Sequence, residues 1–494
     1  MNLHPRALAT LLMASPGCIA DTLAISEGHP NTQESGADPT TAATLTTTSS
    51  TPTAPSTSSI ATPLTLDTAS VSASDSSDTT DTSDTGDDTT TGPEGPHPEL
   101  YPYDRVHSPI TAYVADRMRA IAPQPDTIDT TFVKAGGTTT ASPNFMHCLS
   151  DDLAIVGMPP ELIDTRDFFN LDIGAGITSF TRDSLAAMTA WPSFAVASAL
   201  LDELDALHPR FAHVLVGTHD LADEQPTALY TFADNLLDIV DTLQLAGTVP
   251  ILSTIPQRTD MPAKTDDIPR YNAVIRAAAQ GRQLPLVDLE LALRTLPMTG
   301  LGPDGVDLSV FTSAMVDRPC FFDEVGLSNG YNVRNRESLV ALDRAKRVVI
   351  DSETELDLPQ PGLRGSGTWD DPYEIPALPF VDLRSTADSP SDAWDAYAGA
   401  CDAAKDESGP EVVYRLATAA LINLRATVFD RTGVDVDILI LGAPAPETCL
   451  KRNDFLITGP LPEGEYYIVV DTFAGDVPGG AAGEYILTVL DDGP

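Results

Sequence analysis

Near Pro359 the hydropathy pattern changes period, and the change limits what each half of the chain can fold into. Upstream, short apolar runs alternate with segments of helical spacing. Residues 131–133 begin a short strand that ends in the Gly136-Gly137 turn. Residues 213–217 read as a buried strand, and 249–255 and 284–289 as further strands. Between them, Phe232, Leu236, Ile239, Val240 and Leu243 recur at helical spacing within 227–246. Further helices are expected over 197–207, 270–280 and 336–348, and one reaching residue 122 is expected to be capped by Ser108 with Pro109 at its first position. Strands alternating with helices predict an α/β fold, a doubly wound parallel sheet with helices on both faces. Downstream, 412–416, 422–430, 434–441, 466–473 and 484–490 are β-type runs separated by Gly- and Pro-rich turns. They predict an antiparallel β-sandwich. Asp435 and Asp437 alternate with Val434 and Val436, which predicts that both face solvent.

The segment before these patterns cannot fold with them. Residues 19–98 are Ser, Thr, Asp, Pro and Gly with hardly an aromatic, too little apolar surface to offset chain entropy. They read as a disordered acidic tether. Arg6, the apolar run 7–14 and small residues leading to Cys18 read as an export signal, and the segment resembles a lipobox with Cys18 as the lipidated residue. The expected layout is signal 1–18, linker 19–98, α/β domain 99–350, linker 351–364 and sandwich 365–494. The expected location is the cell envelope, as an outer-membrane lipoprotein held by a lipid anchor only.

With Cys18 set aside, Cys148, Cys320, Cys401 and Cys449 remain, an even number that suggests two disulfides in an exported protein. Three pairings are open; Cys148–Cys320 and Cys401–Cys449 are favoured because each closes within one domain. No Cys-x-x-Cys or clustered Cys/His spacing exists, so neither a metal nor another cofactor is expected. A net charge of −44 argues against a nucleic-acid partner.

In a doubly wound sheet, chemistry sits at the C-terminal ends of strands. Three segments stand there: KAGGTTT (134–140), VGTHD (216–220) and GPDGVDLS (302–309). Their order resembles the SGNH (GDSL-type) hydrolase family over about 108–348, and 365–489 resembles the bacterial pre-peptidase C-terminal sandwich through GEYYIVVDTF. The resemblance implies an ester hydrolase with four blocks. Gly136-Gly137-Thr138 stands for Gly-Asp-Ser. Gly174 or Gly176 stands for the glycine whose amide binds an oxyanion. Gly217-Thr218-His219-Asp220 stands for Gly-x-Asn-Asp, and Asp304-Gly305-Val306-Asp307 for Asp-x-x-His.

Four of these positions have changed chemistry: Gly137, Thr138, His219 and Asp307. No histidine follows His219, so the position of the general base holds a carboxylate, a poor acceptor for a hydroxyl proton at its ordinary pKa. The expectation is therefore an exported hydrolase-like protein without catalysis, retained for binding or scaffolding, with a glycan, lipid or acyl-ester ligand. The alternative is an active esterase or deacetylase in which Thr138 is the nucleophile and His219, paired with Asp220 or Asp304, an atypical base. A third reading makes the sandwich the working unit. For Asp304 and Asp307 the simplest reading is a solvated loop; two carboxylates make no specific cation site.

Overall fold

A computed structural model describes residues 98–122, 124–474 and 481–493. The export signal, Cys18 and the linker through residue 97 lie outside the described residues.

Strands β1 (Ile128–Gly136), β2 (Pro209–Leu215), β3 (Val249–Ser253) and β4 (Leu286–Val287) form a parallel sheet in that spatial order. One further pairing settles its winding. On the free side of β1, Gly136 N–H donates to Ala186 O at 3.0 Å and Met188 N–H to Gly136 O at 3.2 Å, a single parallel bridge between Gly136 and Ala187. The chain therefore leaves β1, returns along one side of it, and only then crosses to β2 on the other. The winding reverses at β1, which opens the crevice at that strand's C-terminal end.

Eight helices lie among the described residues: α1 (Ala112–Ile121), α2 (Thr138–Ala141), α3 (Ile163–Phe169), α4 (Ser193–Leu207), α5 (Ala228–Leu245), α6 (Ile268–Arg282), α7 (Leu289–Leu293) and α8 (Gly330–Val349). The α5 stripe predicted from spacing is wholly buried. In the core, Phe132 meets Phe169 and Phe180 edge to face, and Phe169 meets Phe211. Two expectations are corrected. The cap of α1 is Thr111, whose hydroxyl accepts from Val114 N–H, while Ser108 accepts from Leu286 N–H and so serves the sheet edge instead. The strand expected over 284–289 stops at Val287, because Asp288 caps α7 by accepting from Leu291 N–H at 3.1 Å. A small hairpin, β5 (Thr312–Ser313) and β6 (Val316–Asp317), precedes α8.

The second region is a sandwich. One sheet has the order β13 (Leu456–Leu461), β10 (Ile422–Asp430), β15 (Glu484–Asp491), β8 (Phe380–Ser385). The other has β12 (Cys449–Asn453), β11 (Val436–Leu441), β14 (Gly464–Thr472), β9 (Glu411–Thr418), β7 (Tyr373–Ile375), antiparallel except for the parallel β7–β9 pair. Its inner face contributes Val412, Tyr414, Ile438 and Ile468 to the sandwich core. Its outer face is buried as well: Val413, Leu439, Leu441 and Val469 pack against Tyr397, Trp394 and Cys401 from the connection between β8 and β9. A third layer thus covers the sheet, and Asp437 is 2 % exposed rather than facing solvent; Asp435 is exposed. The disulfides are Cys148–Cys320 and Cys401–Cys449, the favoured pairing.

The two regions share a core. Val381, Leu383, Ile486 and Leu490 of the sandwich join the α/β cluster, mainly against α6. A Cβ on Gly281 would come 2.5 Å from Leu383 Cβ, so only glycine permits the approach. Residues of the 351–364 stretch are bonded to the α/β domain: Asp357 accepts from Ile110 N–H at 2.7 Å, and Pro361 O accepts from Leu100 N–H at 3.0 Å. Among the described residues no helix is long and apolar enough to cross a membrane.

Candidate active site

The crevice at the end of β1 holds Thr138, the first residue of α2. Gly136 is required there, since a Cβ would lie 2.3 Å from Leu215 O. The Thr138 hydroxyl has two partners. It accepts from Ala190 N–H at 2.9 Å and lies 2.7 Å from His219 Nε2. With the amide as donor, the hydroxyl proton points to the imidazole; Nε2 is then the acceptor and Nδ1 carries the proton. Burial, and secondarily the Arg258 guanidinium, hold His219 below the ordinary imidazole pKa, with Asp260 opposing. The ring is therefore neutral at pH 7 and available as a base.

His219 occupies space that a side chain at 137 would need. A Cβ on Gly137 would sit 2.7 Å from His219 Cδ2 and 3.0 Å from Trp191 O, closer than real contacts allow. An aspartate at 137, as in the family's block, excludes this ring position. The bare backbone at 137 and the ring at 219 are thus sterically linked, although the two positions lie far apart in the chain.

The turn carrying His219 is fixed from both flanks. Asp220 accepts from Ser193 N–H at 3.0 Å and from Ser193 Oγ at 2.5 Å, tying the turn to the start of α4. Burial raises the Asp220 pKa, and the Ser193 bonds oppose it. On the other side Arg258 donates to Thr218 O at 2.8 Å and holds Asp260 through two bonds of 2.9 and 2.6 Å. Gly217 adopts φ +110 at the bend, with Phe232 packed 3.0 Å from where a Cβ would be. Neither Asp220 nor Asp304 is the partner of His219, contrary to the pairing weighed for an atypical base. Asp220 is held by Ser193, and Asp304 Oδ1 accepts from Val306 and Asp307 N–H in its own turn, at 3.1 and 3.0 Å.

The carboxylate at the position expected for the base is not bonded to Thr138. Asp304 is exposed, and no hydrogen bond joins Asp307 to Thr138 among the described residues. Burial and then the Asp304 charge raise the Asp307 pKa, Arg258 opposing, and its Oδ1 is buried without a partner. Val306, between the two, does reach the Thr138 pocket. Gly174 and Gly176 are also corrected. Their amides donate to Asp172 Oδ1 at 2.7 and 3.1 Å in an exposed turn, so they are not oxyanion donors. The amide aimed at Thr138 belongs to Ala190, a non-glycine residue at φ +63. Sequence reasoning missed it because a backbone donor needs no particular side chain. The pocket bounded by Thr138, Trp191, Gly217, His219 and Val306 has no volume into which a water-sized sphere fits.

Residues 172–308 match the GDSL-like Lipase/Acylhydrolase family, a span that begins after the Thr138 segment. No curated protein matches the chain. Similar solved structures include a GDSL-like lipase from Bacteroides thetaiotaomicron, 15 % identical over 49 % of this chain and 100 % of that one, with a TM-score of 0.30. A lipase/acylhydrolase from Enterococcus faecalis is 20 % identical over 44 % of this chain and 96 % of its own, TM-score 0.30. The pre-peptidase C-terminal domain of a Bacillus anthracis collagenase is 16 % identical over 24 % of this chain and 91 % of its own, TM-score 0.16. The parallel sheet of this chain thus carries, over β2 to β4, a segment like that of the GDSL-like Lipase/Acylhydrolase family, and an antiparallel β-sandwich follows it.

Proposed function

We propose that the α/β domain is an acyl-ester hydrolase working through a Thr138–His219 dyad. One observation carries the reading: the nucleophile's hydroxyl lies 2.7 Å from the nitrogen of a neutral imidazole, within the reach a general base needs. In this reading His219 Nε2 takes the Thr138 proton as Oγ1 attacks the acyl carbon. Ala190 N–H, which holds Oγ1 at rest, is placed to donate to the oxygen that becomes negative. The walls formed by Trp191 and Val306 favour a small acyl group. A purified full chain is expected to hydrolyse p-nitrophenyl acetate, and Thr138→Ala to abolish it. Absence of turnover, or turnover that survives Thr138→Ala, would sink the proposal.

A second reading keeps the domain without catalysis, as a binding or scaffolding surface for a glycan, lipid or acyl ester. It is favoured by the tightness of the pocket lined by Thr138, Trp191, His219 and Val306. Under the first reading the Trp191 side of the pocket must move aside when substrate enters, while the Ala190 amide stays beside Thr138. Export and lipidation at Cys18 rest on the sequence of residues 1–18 alone. Mass spectrometry of the N-terminal peptide of the mature protein tests them: an unmodified chain beginning at Met1 rules both out.

A further inference from the structure

The outer face of the sheet β12-β11-β14-β9-β7 carries a row of acids under its third layer. Asp437 on β11 is directly opposite Asp471 on β14, and Asp471 is directly opposite Glu411 on β9. Cross-strand partners stand about 5 Å apart at Cβ, where like charges repel. These three are 2 %, 0 % and 0 % exposed, and Glu407, 1 % exposed, comes down on the row from the covering segment.

The partners do not neutralise the row. Glu411 is well bonded, accepting from Trp369 Nε1 at 2.8 Å, Ser391 Oγ and Ala393 N–H. Asp471 Oδ2 accepts from the Tyr397 hydroxyl, a neutral group, at 2.5 Å, while its Oδ1 is buried with no partner. Arg452 on β12 is shared between Asp437 and Glu407, and Glu407 Oε2 is likewise buried without a partner. The remaining charge bearing on the group, Asp454 in the β12–β13 turn, is exposed and acidic. Four carboxyls therefore face one guanidinium. No group of three or more acids among the described residues is arranged to hold a metal ion.

Every element of the cover meets this row. Residues 386–410 hold Tyr397 over Asp471, contribute Glu407, and are tied to the sheet by Cys401–Cys449 and by Ala400 N–H to Cys449 O at 2.8 Å. We infer that residues 386–410 are a proton-locked strap, which lies down on the sheet while the Asp437–Asp471 pair holds protons and loosens when they are withdrawn. Burial first, and the neighbouring Glu407 second, push the Asp437 carboxyl up to about 9, against Arg452. Burial first, with Glu407 and Glu411 adding and the Tyr397 bond opposing, likewise raises Asp471. A carboxyl with a raised folded pKa binds a proton that the unfolded chain has lost. Its contribution to stability is complete below the ordinary carboxyl range and disappears as pH rises through the folded value. For Asp437 that window runs from about 4 to about 9. Loosening uncovers Trp394 and Tyr397, and with them the Trp369 ring stacked 3.6 Å from Trp394.

The test is thermal unfolding of the full chain from pH 5 to pH 9, with hydrogen exchange of residues 386–410 read in parallel. Each proton released on unfolding is expected to lower Tm by about 2–5 °C per pH unit relative to a chain lacking the group. Asp437→Asn and Asp471→Asn should each flatten that slope, so that their Tm advantage over the native chain is small at pH 5 and grows steadily to pH 8. Exchange in 386–410 should quicken with pH in the native chain more than in either variant. Parallel slopes in all three proteins would overturn the inference. So would a Tm rise with millimolar calcium at pH 8 that both variants abolish, since the row would then serve a cation. Should either variant misfold at pH 5, the exchange profile of the native chain decides alone: a pH-independent ratio between 386–410 and the β14 amides refutes the strap.

Discussion

The two sides of the cleft differ in how their residues fit one another. On the Thr138 side the residues fit one another: Gly137 leaves room, His219 fills it, and the hydroxyl is bonded from two directions. On the Asp304–Asp307 side nothing answers. Asp304 closes its own turn and Asp307 leaves an oxygen without a partner. Counting substitutions treats the sides alike, whereas contacts separate them. The fit around Thr138 is what the proposed dyad requires; the Asp307 oxygen without a partner takes no part in it.

Removing the nucleophile should do most to this contrast: Thr138→Ala is expected to lower kcat for p-nitrophenyl acetate on the order of 10⁴-fold or more. His219→Ala should cost about 10²–10⁴-fold, the usual worth of a general base. Gly137→Ala places a methyl where the imidazole stands; displacing the ring should cost about 100-fold, and it should do so with Thr138 intact. If that variant keeps full activity, the steric link between 137 and 219 is wrong. The pH profile sharpens the assignment of the base. His219 must be neutral to accept a proton, and its pKa lies below the ordinary imidazole value, so kcat/KM should be flat at neutral pH and fall about tenfold per unit on an acid limb below about 6.5. A limb above that value would point to a different group. Asp307→Asn should change kcat/KM less than about threefold, the difference expected of a carboxylate outside the reaction; a large loss there would erase the contrast between the two sides.

Much of the fold was legible because apolar periodicity reports burial directly. The α5 stripe and the strand at residues 422–430 fall where spacing put them. What escaped were features without a residue signature. A strand reduced to one bridge at Ala187 has no alternation to read, yet it fixes the reversal of the sheet. Ala190 donates through its backbone, so two exposed glycines, Gly174 and Gly176, drew the assignment instead. The alternation around Asp437 correctly gave the side of the sheet it faces, but a third layer made that side interior. For the site, Thr138, Gly217 and His219 came from the blocks, and their meaning did not. Whether Gly137 and His219 are two losses or one exchange depends on a contact between segments far apart in the chain.

Gly281 carries a consequence for how such a chain can be cut or recombined. Its bare backbone lets Leu383 of the sandwich seat against α6, a helix buried along nearly its whole length. The change of pattern near Pro359 is thus a seam in the sequence that does not run through the interior. A fragment ending there would leave α6 with a raw apolar flank, and a sandwich expressed alone would show the matching one. A chimera joined at that seam would inherit both exposed faces, so each half is expected to need the other for its full stability.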